Sequence, residues 1–137
     1  MNIESFRDLL DEDGPSKSLG MEFLSTPDAD SCVARMVVSD CNTQPFGFLS
    51  GGASLALAET LAGVGSCALC PGQICVGMTV QANHVSSAFK GDVVTATAQL
   101  IHRGVTTHVW NVSIRKENGE LTSTVNVTNY IVPKKKS

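Results

Sequence analysis

The feature that most constrains this chain is the segment 41–89, in which Glu59 is the only formally charged side chain. Residues 53–69 within it are apolar or small on every side of a helix, and such a helix is usually buried. We therefore expect Glu59 to be buried with the helix, without a cation from its own segment. A dry, unpaired carboxylate is costly, so it must be neutral or held by hydrogen bonds. This pattern favours a catalytic acid or base over the alternative of a surface glutamate on a helix edge.

The predicted helix starts at the glycine pair Gly51-Gly52 and stops before Pro71-Gly72. Free N–H groups at a helix start can hold a phosphate or polarise a carbonyl oxygen, although the glycines could also serve close packing alone. Gly51 and Glu59 lie about two turns apart, roughly 12 Å at ~1.5 Å per residue. The two groups therefore do not converge on one atom, and we expect a substrate that spans the gap or a second copy of the chain that supplies one group.

Alternating apolar and polar residues predict six strands around this helix. The predicted strands cover residues 19–24, 31–39, 74–85, 94–100, 108–114 and 121–132. In the third strand, the even-numbered residues from Ile74 to His84 are expected on the core face. Asn118-Gly119 predicts a two-residue hairpin turn of the primed type. Together these elements predict an α+β fold in which an antiparallel sheet wraps around one long helix.

The 137 residues fit a single domain, with an amphipathic helix expected over residues 1–13 and a basic tail over 133–137. A net charge of −3 argues against a nucleic-acid partner. Glu59 and small polar residues interrupt the apolar run, so no membrane span is expected. The acidic N-terminus does not resemble a signal peptide, so we expect a cytoplasmic protein. Nothing in the sequence requires a cofactor.

Three cysteines and three histidines need a separate interpretation. Cys67 and Cys70 form a C-x-x-C pair, and Cys75 follows. No fourth ligand lies at a convincing spacing for a metal, and no redox motif surrounds the pair, so buried thiols are favoured over a metal or a disulfide. His84 is expected to be either a buried structural residue or a substrate contact. His102 and His108 are expected to be structural or exposed.

Several short motifs together resemble the hotdog-fold acyl-CoA thioesterases. They are Gln44-Pro45-Phe46-Gly47, Gly51-Gly52-Ala53-Ser54, Ala58-Glu59, Ala82-Asn83-His84 and His108-Val109-Trp110. The similarity runs from about residue 19 to 132 and is most specific over 44–59. Within that family, the chain is most similar to the proofreading thioesterases of aryl-siderophore synthesis and the dihydroxynaphthoyl-CoA hydrolases of menaquinone synthesis.

The resemblance implies hydrolysis of an aromatic or medium-chain acyl-CoA at a site between the protomers of a dimer or tetramer. Glu59 would act as general base or nucleophile, and the Gly51 N–H would polarise the thioester carbonyl. Gln44 would orient water or the acyl group. The other residues implied at the site are Ser50, Gly52, Gly63, His84 and Phe46. The cations available for the CoA phosphates are Lys90, Arg103 and the lysines at 134–136.

Two positions depart from the family pattern. Ser50 stands where the family typically has a histidine, and it keeps a hydroxyl donor. Gly63 stands where this branch often has a serine or threonine that assists the water, and it offers no such group. These departures leave a non-catalytic acyl-CoA-binding protein as an alternative. A hotdog dehydratase, in which His84 would pair with an acid, is less favoured.

Overall fold

The computed structural model describes residues 1–3 and 14–133. Most of the helix predicted over residues 1–13 and the lysines of the predicted tail lie outside the described residues. Met1 and Ile3 are described, and both are buried. The Ile3 N–H donates to the Ser25 hydroxyl at 3.1 Å, which ties this segment to the loop after the first strand.

The described chain forms six strands and one long helix, preceded by a short helical turn. The elements are α1 Pro15–Ser18, β1 Met21–Leu24, β2 Ser31–Val37, α2 Gly51–Leu69, β3 Cys75–His84, β4 Val93–Arg103, β5 Thr107–Lys116 and β6 Leu121–Ile131. The strands form one antiparallel sheet in the order β1-β2-β4-β5-β6-β3, and α2 contacts strands β2 to β6. The predicted α+β architecture is confirmed.

Helix α2 begins and ends where the sequence predicts. The Ser50 hydroxyl caps its start by accepting a hydrogen bond from the Ala53 N–H at 3.0 Å. The expectation that the helix is buried on every side is wrong for the single chain. The sheet covers one side, where Leu57 and Leu61 are fully buried, whereas Glu59 on the other side is exposed.

Among the described residues, α2 is the helix long and apolar enough to cross a membrane by length and composition, with a mean hydropathy of 1.3. The presence of Glu59 therefore does not exclude a span on composition, contrary to expectation. The helix contacts five strands of the sheet and contributes much of the buried core. It is the core helix of the fold, and no membrane protein is indicated.

The C-terminal half of α2 packs against a buried indole and a polar cluster. A Cβ at Gly65 would lie 2.6 Å from the Cη2 of the fully buried Trp110, so only glycine fits there. The next residue, Ser66, lies 2.9 Å from Trp110 Nε1, 2.8 Å from His108 Nδ1 and 3.0 Å from Asn129 Nδ2 through its Oγ. This cluster ties the end of the helix to β5 and β6.

Strand β3 does not keep one alternating face along its length. A register shift between Gly77 and Thr79 breaks the alternation. Before the shift, Gly77 faces the helix, because a Cβ there would meet the Glu59 side chain, and Val76 and Met78 are 46% and 56% exposed. After the shift, Val80 and Ala82 pack against the core. The predicted continuous face from residue 74 to 84 is therefore wrong. The alternation of apolar and polar residues in the sequence gives no sign of the register shift.

The hairpin between β5 and β6 also differs from the prediction. Its loop is closed by hydrogen bonds from the Lys116 N–H to the Glu120 carbonyl and from the Gly119 N–H to the Lys116 carbonyl, both 2.9 Å. Gly119 has a φ of +89°, whereas Asn118 does not have a positive φ. A primed two-residue turn of the Asn-Gly type needs positive φ at both positions, so this is a three-residue loop that ends in a left-handed glycine.

Candidate active site

A pocket of about 230 Å³ lies at the N-terminal end of α2. The start of the helix, the end of β3, the segment after β3 and the start of β6 all contribute to its wall. The lining residues are Phe48, Leu49, Gly51, Ser54, His84, Ser86, Ser87, Ala88, Thr122 and Ser123. Five of these side chains carry hydroxyl groups, so the pocket combines polar hydrogen-bonding groups with an aromatic edge. Of the residues predicted for the site, Gly51 and His84 lie here.

Gly51 and His84 are in direct contact. A Cβ at Gly51 would lie 3.0 Å from Nε2 of His84, whereas a Cβ at Gly52 would meet nothing within 4 Å. A side chain at Gly51 would therefore push the imidazole back from the helix start by a few tenths of an ångström, whereas one at Gly52 would not touch it. Within the described part of the chain, the Gly51 N–H makes no hydrogen bond. A free N–H at the positive end of a helix is suited to a carbonyl oxygen that gains charge.

Ser123 is a pocket residue that the sequence interpretation missed. It lies on β6, opposite His84 on β3, and its Oγ is 2.7 Å from His84 Nδ1. The two residues are 39 positions apart, and one serine within a threonine-rich and valine-rich strand carries no local signal. Only the β3–β6 pairing reveals the contact. His84 is exposed and hydrogen-bonded at the pocket, so the expectation of a buried structural histidine is wrong.

Glu59 does not lie in this pocket. It is exposed, and its Oε1 lies 2.6 Å from where a Cβ of Gly77 would be. The carboxylate therefore rests on the edge strand β3, where any side chain at residue 77 would displace it. Gly63, one turn further along α2, faces open space, because a Cβ there would meet nothing within 4 Å. The described residues of a single chain do not enclose Glu59 in hydrocarbon, contrary to the prediction.

The loop before α2 places the remaining predicted residues. The Gln44 Oε1 accepts a hydrogen bond from the Phe46 N–H, so this side chain braces its own turn and does not line the pocket. Phe46 is 84% exposed. Its ring stacks on Phe48 with centroids 6.5 Å apart, and Phe48 meets Phe89 edge-to-face at 6.2 Å. These three rings, the aromatic cluster, border the pocket through Phe48.

The cations are distributed unequally around the pocket. The Lys116 ammonium donates to the carbonyl of the pocket residue Ser87 at 3.3 Å, and its hydrogen bond with Glu120 raises its pKa. Lys90 pairs with Asp40 at 2.5 Å, and this hydrogen bond lowers the pKa of that carboxyl group. Arg103 instead donates to the Leu69 carbonyl at the far end of α2. Lys116 was not anticipated from the sequence, and Arg103 does not lie at this pocket.

Cys67, Cys70 and Cys75 lie half-buried at the end of α2 away from the pocket. Burial, followed by the neighbouring Cys67 and Cys70, raises the pKa of Cys75 to about 12. Cys70 Sγ lies 3.7 Å from Nε2 of His108. A thiol that stays protonated at neutral pH is a poor nucleophile. His102 is exposed and His108 is buried in the Ser66 cluster, in line with the sequence interpretation.

Comparison with known proteins identifies the family. The sequence profile described as "Thioesterase superfamily" matches residues 46–123, more than half of the chain, from the aromatic cluster to Ser123. The chain belongs to the thioesterase superfamily. This thioesterase is 38% identical over 109 residues to the 1,4-dihydroxy-2-naphthoyl-CoA hydrolase of Listeria monocytogenes, a match that covers 79% of this chain and 87% of that protein.

Solved structures agree with the family assignment. The thioesterase PA1618 of Pseudomonas aeruginosa, solved as a glutamine-to-alanine mutant, superposes with a TM-score of 0.88 at 35% identity, over 98% of this chain and 96% of that one. The thioesterase HI1161 of Haemophilus influenzae gives 0.87 at 33% identity, over 96% and 91%. The hotdog fold is thus confirmed, and the protein is an acyl-CoA thioesterase that hydrolyses thioesters.

Proposed function

We propose that this thioesterase hydrolyses an aromatic or medium-chain acyl-CoA to the free acid and CoA, at sites that two copies of the chain build together. The Gly51 N–H of one copy polarises the thioester carbonyl. Glu59 of the other copy acts as general base or nucleophile. Gln44, Ser50, Gly52, Gly63, His84 and Phe46 are the remaining residues proposed at the substrate.

The observation that carries this proposal is that the two groups lie at opposite ends of one exposed edge strand. In the sheet formed by residues 14–133, β3 has a neighbour on one side only, and its Val76 and Met78 are largely exposed. His84 and the pocket lie at the end of β3, whereas Glu59 rests on Gly77 near its start. A long, apolar, unpaired strand edge is a template for pairing with another chain.

Antiparallel pairing of β3 with its copy would complete the site. If Cys75 aligns with the partner's His84, then Gly77 lies opposite the partner's Ala82. That is two residues, or about 7 Å, from the partner's His84. The Glu59 carboxylate would then approach the pocket of the other copy, and the two-fold axis would generate two equivalent sites. The roughly 12 Å that separate Gly51 and Glu59 along one helix are thereby bypassed.

The first experiment measures thiol release from a panel of CoA esters. 1,4-dihydroxy-2-naphthoyl-CoA is the first substrate of the panel, because the Listeria hydrolase of that thioester is 38% identical to this chain. Turnover of this ester would support a role in menaquinone synthesis. Benzoyl-CoA and saturated acyl-CoAs of medium and long chain complete it. Turnover of an aromatic or medium-chain ester is expected. We also propose a cytoplasmic location for the enzyme. A protein that binds these esters without releasing thiol would be an acyl-CoA-binding protein, and the proposal would fail.

The second experiment tests the role of Glu59 and the sharing of the site. Glu59→Gln is expected to lower turnover by about 10³-fold or more, with an unchanged fold. Glu59→Gln and His84→Ala, each nearly inactive, are then unfolded together and refolded. Half of randomly formed dimers are mixed, and one of their two sites is intact, so about a quarter of the wild-type rate should return. No recovery in the mixture would place Glu59 and His84 in the same chain's site and refute the shared arrangement.

The third experiment concerns the departure at Gly63. A side chain at this position has open space, so Gly63→Ser should fold normally. The hydroxyl would lie one turn from Glu59 and is expected to raise turnover, with Gly63→Ala as the control that adds helix propensity without a hydroxyl. Equal rates for the two variants would show that no hydroxyl is needed beside the water.

A further inference from the structure

The buried hydroxyl group of Ser123 has one hydrogen to donate and one possible acceptor. Ser123 is 2% exposed, and its Oγ lies 2.7 Å from Nδ1 of His84. Within residues 1–3 and 14–133, the structure shows no other hydrogen-bond partner for this hydroxyl. Which of the two groups donates the hydrogen in this bond therefore depends only on Ser123 and His84.

The count of hydrogens selects one tautomer of His84. A neutral imidazole carries its proton on either Nδ1 or Nε2, and a serine hydroxyl has one hydrogen to donate. If Nδ1 carried the proton, it would donate to the Ser123 oxygen, and the buried hydroxyl hydrogen would have no acceptor. A buried donor without an acceptor is costly. If the hydroxyl donates to Nδ1, both groups are satisfied and the ring proton lies on Nε2.

The Nε2 atom is the part of the ring that lies against the helix start. It is 3.0 Å from the position that a Cβ of Gly51 would occupy, and the ring itself is exposed at the pocket. The selected tautomer therefore places an N–H donor beside the free N–H of Gly51. Two donors that lie side by side can share one acceptor oxygen, as in sites that stabilise an oxyanion.

We propose that Ser123 is a positioning residue: it holds His84 as the Nε2–H tautomer, so that the imidazole and the Gly51 N–H donate to the same thioester carbonyl oxygen. This inference rests on the proposed function, which supplies that oxygen. Ser123 acts through His84 and not as a nucleophile, because its own hydroxyl is enclosed. Nothing at the level of sequence motifs marks Ser123 for this role.

The tautomer is tested by nitrogen NMR of the protein labelled with ¹⁵N-histidine. The chain has three histidines, and the spectrum of His84→Gln identifies the His84 signals. At pH 8 the wild type should show His84 protonated on Nε2. Ser123→Ala should show fast exchange between the two tautomers, and Ser123→Thr, which keeps the hydroxyl, should restore the wild-type pattern. Protonation on Nδ1 in the wild type, or an unchanged pattern in Ser123→Ala, would overturn the inference.

The consequence for the reaction is tested by steady-state kinetics of the same variants. Ser123→Ala should lower kcat about tenfold with KM little changed, the size expected for one neutral hydrogen bond. Ser123→Thr should recover most of kcat. Ser113→Ala, the same change on the neighbouring strand β5, is the matched control and should keep the wild-type rate. A wild-type kcat for Ser123→Ala, or no recovery in a folded Ser123→Thr, would refute the positioning role.

The two readouts separate this inference from the proposed function. If the wild type hydrolyses no acyl-CoA, the proposed function fails, and the role in catalysis inferred for Ser123 fails with it, whatever the tautomer. If the wild type is active and Ser123→Ala keeps both its tautomer and its rate, the function stands and the inference falls. A change in tautomer together with a loss of kcat supports both.

Discussion

Two serine–histidine pairs lie near the two ends of α2, and the same chemical groups have opposite surroundings. At the C-terminal end, Ser66 and His108 are both enclosed, at 0% and 1% exposure. At the N-terminal end, Ser123 is equally buried, but His84 is exposed at the pocket. The hydrogen bonds are almost equal, at 2.8 and 2.7 Å. The difference therefore lies in what surrounds the ring and not in the bond itself.

The enclosed pair, Ser66 and His108, contributes to stability because the donors that meet at Ser66 all have an acceptor. Trp110 Nε1 and Asn129 Nδ2 can only donate, so the Ser66 oxygen accepts from both and its hydrogen goes to Nδ1 of His108. The open pair, Ser123 and His84, uses the same arrangement, but no residue in the described part of the chain bonds to Nε2 of His84. A fully satisfied pair stabilises the fold, and a pair with one group left over can bind a substrate.

Each pair is also accompanied by a glycine that makes room for a ring. A Cβ at Gly65 would lie 2.6 Å from Trp110, and a Cβ at Gly51 would lie 3.0 Å from His84. The indole is held on all sides, whereas the imidazole has solvent beside it. The same extra methyl group should therefore cost stability at one end and activity at the other.

The largest contrast is expected from the two serines. Ser66→Ala removes the common partner of three buried groups, so it should lower the free energy of unfolding by about 3 kcal/mol, at roughly 1 kcal/mol or more for each group. Ser123→Ala should lower it by about 1 kcal/mol or less, since water can reach the ring of His84. Urea denaturation measures both values. Equal losses of unfolding free energy in the two variants would show that the Ser123–His84 pair stabilises the fold as much as the Ser66–His108 pair does.

The next contrast comes from the two glycines. Gly65→Ala should destabilise the protein by about 2 kcal/mol, because a rigid buried indole must move. Gly51→Ala should leave the unfolding free energy nearly unchanged and lower turnover, because the exposed imidazole can turn away. Gly52→Ala, which adds the same methyl group into open space, is the control for the stability measurement. A stability loss at Gly51 as large as that at Gly65 would contradict an open site.

A smaller effect is expected at the cap of the helix. Ser50→Ala should cost about 1 kcal/mol, and Ser50→Asn, another good cap, should restore most of that loss. If Ser50 also touches the substrate, turnover should stay low in the folded Asn variant. Full activity of Ser50→Asn would limit the residue to capping.

The smallest expected effect is a pH dependence from the enclosed pair. Burial, followed by the charges of Arg103 and His102, lowers the pKa of His108 below its usual 6.5. The unfolded chain then takes up this proton at a higher pH than the folded one. The stability from the neutral ring is therefore present above pH 6.5 and is lost as the pH falls through the folded pKa. Thermal unfolding between about pH 7.5 and 5 should show this decline, and His108→Gln should flatten it.

Much of the fold could be predicted from local patterns. The glycine pair and Pro71-Gly72 delimit α2 correctly, and alternation locates all six strands to within about three residues at each end. The irregularity in β3 and the loop at Gly119 were missed, because both depend on how one strand lies against another. The exposure of Glu59 was also missed, because composition shows that a helix is apolar but not which of its sides the sheet covers.

The sequence by itself determined the family motifs, the limits of the helix and the presence of a lone carboxylate, since these depend on residues close together along the chain. Only the tertiary structure placed β3 at the sheet edge beside β6, set Ser123 across from His84, and held Glu59 over Gly77. Glu59 and Gly77 are 18 positions apart in the sequence, and His84 and Ser123 are 39 positions apart. No periodicity encodes these contacts, because the strand order that creates them results from packing of the whole core.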